Sequence, residues 1–140
     1  MNRWLRVWTR RHLLAQALGA LIHAHIRVKI KGNAQLAAEL GDLVGHMPLC
    51  PSELQMSEAT EIGWSIELLG SRGPLKATCL SQALAARALL DKRAIPSTLT
   101  VGLRRREDGT LHAHAWLSVG DHVIVGGRGR QDFTPLGGFR

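Results

Sequence analysis

Cysteine is scarce in this chain: Cys50 and Cys79 are the only two in 140 residues. Two cysteines cannot build a disulfide framework, and they lack the spacing of a metal-binding pair. That usage fits a reducing, cytoplasmic setting. Tyrosine is absent and aromatic residues make up 4%, so a surface for stacking nucleobases is poorly supplied. No apolar run reaches the roughly 18–20 residues that span a bilayer. Internal repeats and linker-like segments are also missing, so the sequence reads as a single domain over residues 1–140. Acidic residues number 11 against 18 Lys and Arg, for a formal charge of +7 and a pI near 10.7. Such a surplus points to an anionic partner or surface. What the chain does have is 45% hydrophobic residues, enough for a core without staples.

The first segment has the outline of a signal peptide, with Arg3, Arg6, Arg10 and Arg11 ahead of the apolar run Leu13–Ala24. Gln16 and His23 interrupt that run, and His25, Arg27, Lys29 and Lys31 close it without a small-residue cleavage site. An amphipathic helix over Arg10–His25 is the better reading, with Leu14, Leu18, Leu21 and His25 near one face. Such a helix packs on the domain, or else lies on a membrane surface or grips a partner. Gly32-Asn33 breaks the pattern, and Leu36, Leu40, Leu43 and Val44 sketch a second short helix ending at Gly45. Residues 1–50 thus form a helical cap ahead of a core over 51–140.

His46–Pro51 reads as a connection. Ser52 and Gln55 have capping-box spacing and open a third helix with the stripe Met56, Ala59, Ile62, Ile66 and Leu69, ending at Gly70. After the loop Ser71–Pro74, Thr78 is placed to cap a fourth helix whose first turn holds Cys79. Leu80, Ala83, Leu84 and Leu90 form its apolar stripe, and it closes near Asp91-Lys92-Arg93. Beyond Pro96 the period changes to two: Leu99, Val101 and Leu103 mark a strand, Asp108-Gly109 a hairpin turn, Leu111–Val119 a second strand. Gly120-Asp121 is another turn, and His122–Gly126 completes a three-strand meander. Phe133, Leu136 and Phe139 are candidate anchors for the tail. Helices first and an antiparallel sheet after them make an α+β domain.

A thiol in the first turn of a helix sits beside unpaired N–H groups and the positive end of the dipole, which favour thiolate. The bland alternative is a small buried core residue. Downstream, alternation places His112, His114 and Trp116 on one face of the second strand. Cysteine at a helix N-terminus with histidine on a later strand is the layout of Cys–His nucleophilic catalysis. His112, His114 and His122 lack the carboxylate or cysteine that would complete a zinc site. The run Arg104-Arg105-Arg106 falls on the hairpin, either as a solvated cluster or as a dock for an acidic peptide. Cys50 has no partner logic and reads as structural.

The blocks Cys79–Ala85, Ala94–Leu99, Val101-Gly102-Leu103 and His112-Ala113-His114-Ala115-Trp116 resemble the lasso-peptide leader peptidases, the transglutaminase-like B proteins of lasso peptide biosynthesis. The similarity extends through Gly126-Gly127 and Phe133–Leu136, weakly back to Ile62-Gly63-Trp64, and covers roughly the last 80 residues. It implies a papain/transglutaminase-like core with the cysteine helix packed on a small antiparallel sheet. By the same resemblance the chain is a cysteine protease that removes the leader from a ribosomally made precursor peptide, with no cofactor and no metal. Cys79 is then the nucleophile and His114 the general base; Trp116, read from its place on the histidine's strand face, packs near the ring as a substrate-side residue that shields the pair. The implied partners are the leader region of the precursor, a separate leader-recognition protein and the lasso cyclase, with no nucleic acid.

One departure stands out. The family places an aspartate about 12 residues after the histidine, and here that position holds Gly126. A two-residue turn at Gly120-Asp121 sets residues 126 and 127 opposite His114. Asp121 then lies at the turn tip, about 17 Å along the strand from the imidazole. Asp132 folding back, or a backbone carbonyl or amide, are the other ways to orient the ring. Two further readings compete: a basic nucleic-acid- or membrane-binding module without catalysis, and the same fold with an amine acceptor, acting as an acyltransferase.

Overall fold

The computed structural model describes the backbone of residues 3–39, 43–44, 50–72 and 77–139, and side chains within 10–30, 50–71 and 77–135. Three helices, α1 (Arg3–Glu39), α2 (Glu53–Arg72) and α3 (Cys79–Lys92), precede most of the sheet. Its strands are β1 (Leu43–Val44), β2 (Thr98–Arg105), β3 (Leu111–Val119), β4 (His122–Val125) and β5 (Thr134–Phe139), in the order β1-β5-β2-β3-β4 with every neighbour antiparallel. The α+β reading holds.

Local signals account for most of these elements. Ser52 N–H donates to Gln55 Oε1 at 3.0 Å while Gln55 N–H donates to Ser52 Oγ at 3.2 Å, the reciprocal bonds of a capping box. Ala59, Ile62 and Ile66 are buried, with Met56 and Leu69 packed against them, as the α2 stripe requires. Thr78 Oγ1 accepts the Ser81 N–H at 3.2 Å and caps α3. At the other end of α3, Ile95 N–H donates to Leu90 O at 3.0 Å and Ala94 N–H to Asp91 O at 3.1 Å. This is a Schellman closure with Ala94 at φ 53° in the position that glycine favours. The β2–β3 hairpin runs from Thr98↔Ser118 to Arg105↔Leu111 around the Asp108-Gly109 turn.

Three expectations are corrected. α1 is one helix of 37 residues rather than two short ones. A single internal glycine costs a helix only about 1 kcal/mol, and Ala34, Gln35, Leu36, Ala37 and Ala38 beyond it are good helix formers; Leu43 and Val44 instead pair with β5. The inward face of α1 is Leu13, Ala17, Leu21 and Ala24, while Leu18 is 39% exposed. Apolar residues occupy both sides of this helix, so periodicity alone does not choose between them; the small Ala17 and Ala24 allow close approach. The meander is also larger than expected, because the tail returns as β5 between β1 and β2. The connection around His46 and the loop around Gly73 lie largely outside the described residues, as do the side chains of Leu136 and Phe139.

α3 is packed between α1, α2 and the sheet. Leu84, Leu89 and Leu90 of α3 share one buried cluster with Leu21, Ile62, Ile66, Leu99, Leu117 and Val125. Arg93 ties the end of α3 to α1 through Gln16 Oε1 at 2.9 Å. Another face of α1 leaves Leu18, Ile22, Ile26 and Ile30 exposed at four-residue spacing. Among the described residues no helix is long and apolar enough to cross a membrane. Replacing Ala94 by glycine removes the left-handed strain, about 1–2 kcal/mol for an L-residue, against about 0.4–1 kcal/mol of extra unfolded-state entropy. Ala94→Gly is therefore expected to raise the urea midpoint by the equivalent of about 0.5–1 kcal/mol, with an unchanged m-value.

Candidate active site

Cys79 opens α3 directly after its Thr78 cap. The N–H groups of a helix's first turn have no intrahelical acceptor; Thr78 Oγ1 takes that of Ser81, which leaves those of Cys79 and Leu80 beside the thiol. The approach to the helix is held by Gln82, whose Nε2 donates to Ala77 O at 3.1 Å, and by Ala77 N–H donating to Gly70 O of α2 at 3.2 Å. Cys79 is partly exposed, in a cavity of about 440 Å³ that it lines with Trp64, Glu67, Gln82, His114, Gly126 and Arg128, among others. Cys50, by contrast, is exposed and does not line this cavity.

His114 reaches the same cavity from β3. Its Nε2 lies 2.7 Å from the Gly126 carbonyl oxygen. A carbonyl only accepts, so Nε2 carries the proton and Nδ1 is the free acceptor of the neutral ring. Among the described residues no hydrogen bond joins Cys79 Sγ to the ring; such contacts commonly tighten only when substrate binds. The imidazole rests against Phe133 at 5.1 Å and Trp116 at 5.9 Å between ring centroids. Trp116 is 5% exposed and does not line the cavity. It packs beside the histidine as expected, but its indole is too deeply covered to serve as a wall for substrate.

The partner of the imidazole is thus main chain. Asp121 is in the β3–β4 turn and Asp132 pairs with Arg104 at 3.8 Å; neither meets His114. The turn does pair Val119 with His122, but a bulge shifts the ladder so that Leu117 faces Val125. Gly126 is therefore beside Trp116, one position from the expected register, and only its carbonyl reaches back to His114. Gly126 has φ 77°, and a Cβ there would lie 2.6 Å from the Ala115 carbonyl oxygen. A side chain, aspartate included, does not fit this backbone.

Residues 18–137 match the Transglutaminase-like superfamily. The chain belongs to that superfamily. No curated protein and no solved structure matches it. Transglutaminase-like domains are in general cysteine peptidases or acyl-transfer enzymes, and a partly exposed cysteine and a histidine facing one cavity suit either chemistry. Among the described residues no three His, Cys, Asp or Glu side chains are grouped to hold a metal.

Glu67 and Arg128 carried no local signal of a place in the cavity, because α2 and the segment after β4 meet only in the folded chain. Outside the cavity, His112 bonds to Arg106 Nη2 at 3.2 Å. Arg106 chiefly, then desolvation, Arg104 and His114, hold its pKa below 6.5. Arg104 lies over the Phe133 ring at 5.1 Å, so two of the three hairpin arginines serve the local fold. Arg106→Ala should raise the His112 midpoint toward its ordinary value in an NMR titration. Gly126→Ala is expected to cost about 1–3 kcal/mol of stability, the usual range for a strained backbone position, read by denaturant unfolding.

Proposed function

We propose that this protein is a cysteine peptidase that removes the leader from a ribosomally made lasso precursor peptide. The observation that carries the chemistry is the Gly126 carbonyl on His114 Nε2, which leaves Nδ1 as the acceptor in a cavity shared with Cys79. Nδ1 takes the thiol proton, and the Cys79 thiolate attacks the scissile carbonyl. N–H groups at the start of α3 stabilise the oxyanion that forms. The imidazolium then protonates the departing amine, leaving an acyl-enzyme. Water, deprotonated by the same Nδ1, attacks the thioester, and the thiol is regenerated as the carboxylate product leaves. Substrate choice rests on the resemblance of the cysteine and His-Ala-Trp blocks to the lasso leader peptidases. By that resemblance a separate recognition protein presents the leader and a cyclase closes the freed core peptide. The net charge of +7 suits an acidic leader or such a partner.

The test mixes the protein with a candidate precursor and its recognition partner and reads products by mass spectrometry. Cleavage at one bond is expected, reduced about 10³-fold or more in Cys79→Ala and His114→Ala. His112→Ala should keep its rate within about threefold, since that ring is outside the cavity. A product mass joining peptide to an amine would move the assignment to acyl transfer. Absence of any product from the folded protein with its partner bound would overturn the enzyme reading in favour of the basic binding module.

A further inference from the structure

Gly126 by itself is a poor anchor for a catalytic ring. The β3–β4 ladder ends at Leu117↔Val125, so among the described residues no strand pairing holds the glycine that follows. Glycine is also the residue with most backbone freedom to lose. Its N–H is instead held by a side chain from another element: Glu67 Oε1 of α2 accepts it at 2.9 Å. The Gly126 carbonyl, on the other side of the same Cα, accepts His114 Nε2–H at 2.7 Å. The two bonds together restrain both soft dihedrals of one residue.

The placement of Glu67 follows from packing one turn earlier. Gly63 lies against β4 so closely that a methyl group there would overlap the Ile124 carbonyl oxygen. Four residues of helix rise about 6 Å, and two residues of strand about 6.6 Å. Contact between Gly63 and Ile124 therefore brings Glu67 level with Gly126. The glycine of α2 sets the approach, and the carboxylate one turn on fixes the main chain that orients the histidine.

We propose that Glu67 is a positioning residue for His114, acting through Gly126 and performing by way of the main chain what an acid side chain on the imidazole would otherwise do. This rests on the Cys79–His114 chemistry proposed above. The carboxylate takes no part in bond making; it fixes the direction of the Gly126 carbonyl, and hence the tautomer and tilt of the ring.

The experiment compares Glu67→Ala and Glu67→Gln in steady-state cleavage and in ¹⁵N NMR of the His114 ring. Loss of the acceptor is expected to lower kcat about 10–100-fold, the scale of a misplacement near 1 Å, with KM within about threefold. The two ring nitrogens, distinct in the wild type, should move toward an averaged pair in E67A. E67Q should retain kcat within about threefold and keep the wild-type ring signature, because its amide oxygen still accepts the Gly126 N–H. Unchanged kcat in E67A, a change confined to KM, equal losses in both variants, or an unaltered ring signature would each overturn the proposal. Should the wild type cleave no peptide, the ring signature alone decides: a change in E67A upholds positioning while the peptidase reading falls. If E67A does not fold, Gly126 amide exchange in the wild type replaces it, protection supporting the bond to Glu67 and free-amide exchange overturning it.

Discussion

Burial of α3 is the constraint on which the remaining structure depends. Ala83, Leu84, Ala85, Ala86, Leu89 and Leu90 are all buried, which needs apolar cover from α1, α2 and the sheet together. Each fully buried leucine contributes on the order of 1.5–3 kcal/mol relative to exposure, so the helix cannot shift without loss from several directions. Its alanines admit close neighbours where longer side chains would hold them away. Cys79 inherits this rigidity, since it begins the helix at the seam where α2 meets the end of β4. The thiol is exposed enough to react because the helix that carries it is not.

The second element of the site is held in a different way. An aspartate would hold an imidazole by a charged side chain, and the backbone at Gly126 has no room for one. A carbonyl oxygen takes that place at 2.7 Å. It fixes tautomer and direction and supplies a dipole, without the unit charge of a carboxylate. The bulge between Leu117 and Ser118 and the left-handed glycine are what turn that carbonyl toward β3. Phe133 and Trp116 close the other sides of the ring, so imidazole orientation is decided by packing and main chain together.

The N-terminal helix shows why periodicity can mislead. A face of Leu13, Ala17, Leu21 and Ala24 is buried, and a second apolar stripe of Leu18, Ile22, Ile26 and Ile30 is exposed. Both repeat at intervals a helix permits, so the pattern specifies a helix but not which side faces inward. Gly32 looked like a terminator, yet glycine ends a helix only when the residues around it leave helical geometry. Strand β5 was hidden for a related reason. Residues Thr134–Phe139 contain Pro135, Gly137 and Gly138, poor strand formers whose pairing is provided by the open edge of β2.

Local chemistry was legible wherever neighbours in sequence are also neighbours in space. The Ser52–Gln55 box, the Thr78 cap, the Asp108-Gly109 turn and the alternation of β3 needed only a few adjacent residues, and they placed Cys79 and His114 on their elements. The absence of an acid at residue 126 could be read there too. What fills that absence could not, because Glu67 and Gly126 are 59 positions apart. Sequence by itself determined the helix that presents the thiol, the strand that presents the imidazole and the glycine that stands at residue 126 in place of an acid. Only the tertiary structure decided that a bulge would aim a carbonyl at the ring and that Gly63 would bring a helix close enough for Glu67 to hold it. Those contacts depend on how closely α2 and β4 pack, a distance no local pattern encodes.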